Sequence, residues 1–140
     1  MIESVFNLLA DIGFNHPLHP AITHVPVGMI IGGFLFAIFS RPFKKPDLGK
    51  AAHYCYILAL ISVFPTILLG YMDWQHTFEG EWDLLIKMKF FLAAIMVILL
   101  SFAVKAGRQA TASNKTITIY FLCLAVAISL GYIGGELVYG

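Results

Sequence analysis

The stretch HPLHPAITHVP (residues 16–26) places three histidines and three prolines directly ahead of an apolar run long enough to cross a membrane. Proline fixes its own φ angle and pushes the preceding residue out of the helical region, so we expect an extended segment. Pro26 fits the first turn of the helix that follows, where a missing N–H costs nothing. His24 would then lie at the mouth of that helix. Imidazoles at a membrane boundary are costly to place, and three so close together indicate a function.

This apolar run is the first of four in a chain of 140 residues that is 59% hydrophobic and 12% charged. Soluble domains usually carry about twice that charged fraction. Each run approaches the roughly 20 apolar residues that cross a bilayer as a helix. The sequence therefore predicts an all-α protein with one membrane domain over residues 1–140, a bundle of four transmembrane helices at 21–40, 51–72, 84–104 and 117–139.

Charged residues separate to the two ends of this bundle. One end, here named the basic end, carries Arg41, Lys44, Lys45, Lys50, Lys105, Arg108 and Lys115, with Asp47 as the one acid among them. The other, the acidic end, carries Glu3, Asp11, Asp73, Glu79, Glu81, Asp83 and Glu136. Loops rich in Lys and Arg stay in the cytoplasm. We therefore expect both termini to face outward, to the periplasm or the cell exterior.

Residues 1–14 have neither the basic start nor the cleavage site of a signal peptide. Ile2, Val5, Phe6 and Leu9 recur at helical spacing, opposite polar residues. This pattern predicts a short amphipathic helix that lies on the outer membrane surface. Gly13 is expected to end it.

Several classes of function are disfavoured. The net charge of +1 does not indicate a nucleic-acid partner. The two cysteines lack the Cys-x-x-Cys-His spacing of covalently attached haem. The chain has no His-Glu-x-x-His motif, no Gly-x-Ser-x-Gly elbow and no phosphate-binding loop. No nucleophile–base pair is evident, so we do not expect an enzyme that acts alone.

Glycines recur on two of the predicted helices. His24, Gly28 and Gly32 are spaced four apart and share one helix face. Gly131 and Gly135 repeat that spacing near the acidic end. Such spacing commonly allows close contact between membrane helices. Alternatively, the glycines leave space for a flat macrocycle beside a ligating imidazole, and both interpretations stay open.

Aromatic and basic residues mark the acidic end of the second and third crossings. Trp74 and Trp82 are expected to be aromatic anchors at the outer interface. Lys87 and Lys89 lie at the start of the third crossing. Their long side chains are expected to reach outward to the interface or to pair with the acids at 81 and 83.

The motifs resemble those of the DUF2231 family of small bacterial membrane proteins. The resemblance rests on HPLHP at 16–20, HVP at 24–26, GYMD at 70–73 and GGELVY at 134–139, and so spans nearly the whole chain. Many members have a histidine early in the third crossing, where this chain has KMK at 87–89; His76 is a candidate substitute. The resemblance implies a bacterial inner-membrane protein. Similar proteins joined to Rieske-type iron–sulfur domains imply redox work, by analogy.

The leading hypothesis is an electron-transfer protein that binds a non-covalent haem b near the acidic end. Haem in a helical bundle needs axial ligands on opposite sides of the iron, from different elements. We expect His24 and His76 to be this pair, with His19 as the substitute for either and His16 close by. Gly28, Gly32, Gly131 and Gly135 would make room for the ring, and Asp73 or Glu136 would fix an imidazole tautomer.

In this hypothesis the chain is a subunit of a respiratory complex. Electrons would pass between a periplasmic or extracellular redox subunit and a membrane quinone. His53 lies at the basic end and cannot share a site with the other histidines. It is expected to be an interfacial or loop-capping imidazole.

Two alternatives stay open. His19, His24 and His76 with an acidic side chain would suit a transition metal such as Zn²⁺, Cu²⁺ or non-haem iron. The chain would instead be a cofactor-free structural anchor or accessory subunit if its histidines and acids only fix loops against a partner.

Overall fold

The computed structural model describes residues 18–77, 82–109 and 113–139, together with residues 4, 7, 11 and 13. For residues 18–21, 77, 138 and 139 it describes the backbone alone. The predicted surface helix over residues 1–14 lies largely outside the described residues, as does His16. Gly13 has a φ of 84°, the left-handed conformation that commonly follows a helix.

Throughout the described ranges the secondary structure is helical, with no strand. Four helices follow one another: α1 (Leu18–Ser40), α2 (Pro46–Thr77), α3 (Leu84–Gln109) and α4 (Asn114–Tyr139). Each is long and apolar enough to cross a membrane. The predicted all-α fold with four transmembrane helices is therefore confirmed.

The helices extend beyond the apolar runs that predicted them. α2 has 32 residues, against the 22 of the run at 51–72. At about 1.5 Å per residue it is roughly 48 Å long, whereas the hydrocarbon core of a bilayer is about 30 Å thick. Its ends therefore project into the headgroup regions, where polar residues such as His76 and Asp47 are accommodated.

The predicted extended conformation of residues 16–26 is wrong over residues 18–26, because α1 begins at Leu18. Pro20 lies in the first turn, where its missing N–H has no intrahelical partner to lose. Pro26 lies inside the helix and not in its first turn. A membrane helix tolerates this proline because the apolar surroundings strongly favour keeping all other backbone hydrogen bonds. His24 is consequently a mid-helix residue.

Local hydrogen bonds and turn residues fix the helix ends at the basic end. Lys44 has a φ of 50° in the turn after α1, and Pro46 begins α2. Ser113 caps α4, because the N–H of Thr116 donates to its Oγ at 3.1 Å. The Arg41 guanidinium donates to Asn114 Oδ1 at 2.7 Å and so joins the end of α1 to the start of α4.

The four helices form a ring in chain order. α1 packs against α2 and α4, and α3 also packs against α2 and α4. The backbones of the diagonal pairs, α1 with α3 and α2 with α4, do not come close to each other among the described residues, and α2 meets α4 through side chains. This is the arrangement of an up-and-down four-helix bundle. It places the basic end and the acidic end, as defined from the sequence, at opposite ends of the bundle.

Tyr56 of α2 is buried inside the bundle and contacts two other helices. Its ring stacks on Tyr120 of α4, with ring centroids 3.7 Å apart and planes 13° from parallel. Its hydroxyl lies 3.3 Å from the carbonyl oxygen of Ile30 on α1 and 3.2 Å from that of Tyr120. Both tyrosines are fully buried. One side chain therefore joins α1, α2 and α4.

Small residues bring the backbones close, but they are not the glycines that the sequence pattern suggested. A Cβ at Gly33 would meet the Tyr56 ring at 2.7 Å and Cys55 Cβ at 3.1 Å. Four alanines are also fully buried in the core cluster that contains Tyr56: Ala37, Ala52, Ala59 and Ala103. In contrast, a Cβ at Gly28, Gly32, Gly131 or Gly135 would meet no described atom within 4 Å. Gly33 therefore sets the close approach of α1 and α2.

We expect Gly33→Ala to destabilise the bundle, because the added methyl group would collide with a Tyr56 ring that packing and hydrogen bonds hold in place. Overpacking of this kind costs about 1–3 kcal/mol. Gly32→Ala is the matched control, since the space around its Cβ position is open. Thermal unfolding in detergent, followed by circular dichroism, should show a lower melting temperature for Gly33→Ala alone. Equal melting temperatures for the two variants would contradict this packing.

Candidate functional site

The predicted site residues of α1 and α4 lie on the outside of the bundle. His24, Gly28, Gly131 and Glu136 are exposed, and Gly32 and Gly135 are half-buried. The backbone of His19 belongs to the first turn of α1, but its side chain lies outside the described residues, as does all of His16. His24 therefore presents its imidazole at the bundle surface, with two uncovered glycines one and two turns below it on the same face.

His24 and His76 lie at different depths. Gly33 of α1 is level with Tyr56 of α2, because a Cβ on Gly33 would touch the Tyr56 ring. At a rise of about 1.5 Å per residue, His24 lies about 14 Å from this contact toward the acidic end and His76 about 30 Å. The two exposed imidazoles are therefore offset by about 16 Å along the bundle axis. The structure does not bring the predicted pair of axial ligands together.

His24 is instead level with Gly131. The rings of Phe34 on α1 and Phe121 on α4 have centroids 6.1 Å apart and mark one depth. His24 and Gly131 each lie about 15 Å from this contact toward the acidic end. Because α1 and α4 are neighbours, the imidazole of one helix and an uncovered glycine of the other share a depth.

Two oppositely charged side chains, Asp73 and Lys89, influence each other electrostatically at the acidic end. Asp73 of α2 is buried, with 7% of its surface exposed. Its charge acts on the half-buried ammonium group of Lys89 on α3. Lys89 Nζ also lies 3.9 Å from the position that a Cβ on Gly134 of α4 would occupy. Three helices therefore meet around one opposite-charge pair.

This pair revises the expectations for both lysines. Lys87 is exposed, as a lysine that reaches the interface would be. Lys89 is half-buried, and the carboxylate whose charge acts on its ammonium group is that of Asp73, sixteen positions earlier in the sequence. A carboxylate and an ammonium removed from water are each costly, so the pairing of their charges is what makes this burial tolerable.

An aromatic cluster covers the junction of α2 and α3 beside this pair. Trp74 is buried, at 7% exposed, and its ring lies 4.5 Å from Trp82 and 5.6 Å from Phe90 between centroids. Tyr71 approaches the same indole at 5.6 Å. The prediction of Trp74 as an interfacial anchor is therefore wrong, because it packs inside the cluster. Trp82 is exposed, as an anchor would be.

Side chains that could bind a metal ion do not gather at one place in the described part of the chain. Among the residues that the structure describes, no three His, Cys, Asp or Glu side chains lie close enough to hold one metal ion. The predicted set of His19, His24 and His76 includes a side chain outside those residues. A metal held by His24 would therefore need at least one ligand from a side chain outside the described residues, such as His16 or His19.

The sequence model of one protein family matches residues 15–140, and the family is described as a predicted membrane protein, DUF2231. The match covers all four helices and the histidine-rich start of α1. No curated protein matches the chain, and no solved structure does.

We expect Lys89→Met to lower stability far more than Lys87→Met, because it leaves the buried carboxylate of Asp73 without its neighbouring positive charge. Removing one partner of a buried pair costs about 3 kcal/mol or more, whereas a surface substitution usually stays within about 0.5 kcal/mol. Unfolding in a denaturing detergent measures both variants.

A double-mutant cycle separates the charge pair from the packing of the lysine stem. Lys89→Met combined with Asp73→Asn should recover part of the loss, because no charge is then left unpaired. If the two single losses simply add, the charges do not stabilise each other and this description of the site is wrong.

Proposed function

We propose that this chain, which belongs to the DUF2231 family of predicted membrane proteins, is an electron-transfer subunit that binds haem b at its acidic end with His24 as one axial ligand. The observation that carries the proposal is the exposure of His24 above Gly28 and Gly32, whose surroundings are open. The imidazole is accessible to a ligand, and the helix surface below it is bare enough to lie against a flat ring.

Several residues of this chain would hold the haem b. When bound, haem b supplies a one-electron couple whose potential depends on its axial ligands and on the polarity around it. His24 would donate a ring-nitrogen lone pair to the iron, and Gly131 leaves space at the same depth on α4. The second imidazole would come from His19 or His16, because the depth of His76 puts it out of reach. Glu136 is exposed at this end and would accept the N–H of a ligating imidazole.

A second candidate function is a cofactor-free accessory subunit, and the Asp73–Lys89 pair favours it. The charge of Asp73 on α2 acts on the half-buried Lys89 of α3, so part of the polar cluster would serve the bundle itself. Many large apolar side chains are exposed on all four helices, among them Phe39, Leu68, Phe91 and Tyr132. Lipid or partner helices would cover them. A transition metal at His24, with ligands from the 16–19 segment, remains the third candidate.

The visible spectrum of protein purified in detergent after haem-replete expression tests the haem proposal. A Soret band and a sharp α band on reduction are expected. His24→Ala should remove both bands. His53→Ala, at the basic end, should keep both bands. His76→Ala should keep them as well, because His76 lies about 16 Å farther than His24 toward the acidic end.

Wild-type protein without these bands would overturn the haem proposal. Elemental analysis would then separate the remaining candidates, since a stoichiometric transition metal indicates the metal site and its absence the accessory subunit. Loss of the bands in His76→Ala with retention in His24→Ala would contradict the assignment of the ligand.

The proposed membrane orientation places the acidic end outside a bacterial inner membrane, with both termini outward. The positive-inside rule supports it, because the described basic residues at the basic end all lie in loops or within a few residues of helix ends. A haem at the acidic end would then exchange electrons with a periplasmic or extracellular redox subunit and with quinone. Alkaline phosphatase fused after residue 140 should be active and a fluorescent-protein fusion dark. The opposite result would place the acidic end in the cytoplasm.

A further inference from the structure

Two buried polar atoms near the basic end have no hydrogen-bond partner among the described residues. They are the hydroxyl oxygen of Tyr120 and the Nδ1 nitrogen of His53. Almost none of the surface of either atom is accessible, so neither can bind a molecule from the surroundings. An unpaired buried polar atom is costly, and native structures keep few of them. Two such atoms call for a pairing that the fold itself supplies.

Gly107 of α3 brings the two atoms side by side. The Tyr120 hydroxyl contacts the position that a Cβ on Gly107 would occupy, and His53 Nδ1 lies 2.7 Å from the same position. Gly107 is itself buried near the end of α3. Any side chain there would displace one or both groups. The glycine therefore lets a side chain of α2 and a side chain of α4 meet against α3.

The two atoms are complementary as a donor and an acceptor. A tyrosine hydroxyl can donate a hydrogen bond, and Nδ1 accepts one in a neutral imidazole that carries its proton on Nε2. The χ2 torsion of histidine is broad, so a small rotation of the His53 ring aligns Nδ1 with the hydroxyl. The Tyr120 ring is held in place by its stack on Tyr56.

The rest of the His53 ring is open to the aqueous side. His53 is half-buried and lines an open recess between α2 and α3 at the basic end. The titratable and charged groups that share this space with it are Tyr120 of α4, Arg108 of α3, and Lys50 and Tyr54 of α2. Asp47 contacts Lys50 at 3.3 Å but does not line the recess. The ring thus has a hydroxyl on its buried side and two cations on its exposed side.

We propose that a hydrogen bond from Tyr120 holds His53 neutral, and that protonation of His53 releases this bond as a pH-sensitive switch at the junction of α2, α3 and α4. Imidazole is the side chain that ordinarily changes its charge between about pH 5 and 8. A protonated Nδ1 carries a hydrogen and cannot accept from the hydroxyl. The positive ring would also be repelled by Lys50 and Arg108. The proposal does not depend on a haem.

The direction of the effect follows from which form makes the bond. Because Nδ1 is covered, it gains a proton only when the ring leaves the Tyr120 hydroxyl and turns into the recess. The contact between α2 and α4 at this depth is then lost. Its stabilising contribution is therefore fully present at about pH 7.5 and is lost as the pH falls toward about 5.5.

The melting temperature of full-length protein in phosphatidylcholine nanodiscs tests the switch. Wild type should melt roughly 5 °C lower at about pH 5.5 than at about pH 7.5, the shift expected for one lost buried hydrogen bond. His53→Asn should remove most of this difference, because an amide oxygen can accept from Tyr120 without titrating. His76→Asn, an exposed histidine at the acidic end, is the matched control and should keep it.

Tyr120→Phe tests the hydrogen bond itself, since it keeps the ring that stacks on Tyr56 and removes one hydroxyl. At neutral pH it should melt at a lower temperature than wild type, because Nδ1 is left buried without its donor. It should also lose most of the pH dependence. Tyr132→Phe, an exposed hydroxyl at the acidic end, should behave as wild type. If the two atoms do not pair, Tyr120→Phe will be as stable as wild type or more so, and the proposal is wrong.

Nitrogen NMR of isotope-labelled histidine gives a readout that packing alone would not move. At neutral pH the His53 ring should carry its proton on Nε2 and none on Nδ1, with its signals assigned by their absence in His53→Asn. A proton on Nδ1 at neutral pH would overturn the proposed acceptor. Equal pH dependence of melting in wild type and His53→Asn would overturn the switch.

Discussion

The side chain of Tyr56 is the constraint on which the rest of the bundle depends. Apolar burial adds little to helix association within a bilayer, because lipid is as apolar as the helix surfaces, so packing and interhelical hydrogen bonds remain. Tyr56 supplies both: its ring fills the space over Gly33 and stacks on Tyr120, and its hydroxyl reaches carbonyl oxygens of two other helices. The relative depth of α1, α2 and α4 follows from this one residue.

The relative depth of the helices determines which polar side chains can contact one another. It places His24 level with Gly131 and well below His76, and it leaves Asp73 facing Lys89. The acidic end thus contains an exposed imidazole with open space beneath it and, separately, a buried charge pair. At the basic end two buried polar atoms, the Tyr120 hydroxyl and His53 Nδ1, have no hydrogen-bond partner among the described residues.

The sequence predicted the number and positions of the helices well, because hydropathy over about 20 residues is a strong signal for a membrane span. The prediction from sequence was wrong where the local conformational preference of proline conflicted with the membrane environment. The prolines at 20 and 26 indicated an extended segment, but the apolar surroundings favour helix and the first turn accommodates one of them. Helix ends were missed because polar residues in headgroup regions continue a helix without raising hydropathy.

The sequence identified the residues of the candidate site but not their partners. Helical spacing predicted that His24, Gly28 and Gly32 share one face, and all three do lie in the helix α1 at that spacing. Spacing within one helix carries no information on the depth of another, so the pairing of His24 with His76 could not be judged. For the same reason Gly33 and Lys89 were missed as contact residues, since their importance comes from Tyr56 and Asp73 on a different helix.

The order of the helices around the ring is the central claim, because only on neighbouring helices can His24 and Gly131, which lie at the same depth, belong to one site. Cysteine cross-linking tests it most directly, in a background with Cys55→Ala and Cys123→Ala. Phe34→Cys with Phe121→Cys should cross-link within one chain through a short bifunctional thiol reagent, as their rings lie 6.1 Å apart. Phe34→Cys with Phe102→Cys, on the diagonal helix α3, should not. Cross-linking of the diagonal pair in place of the neighbouring pair would contradict the account.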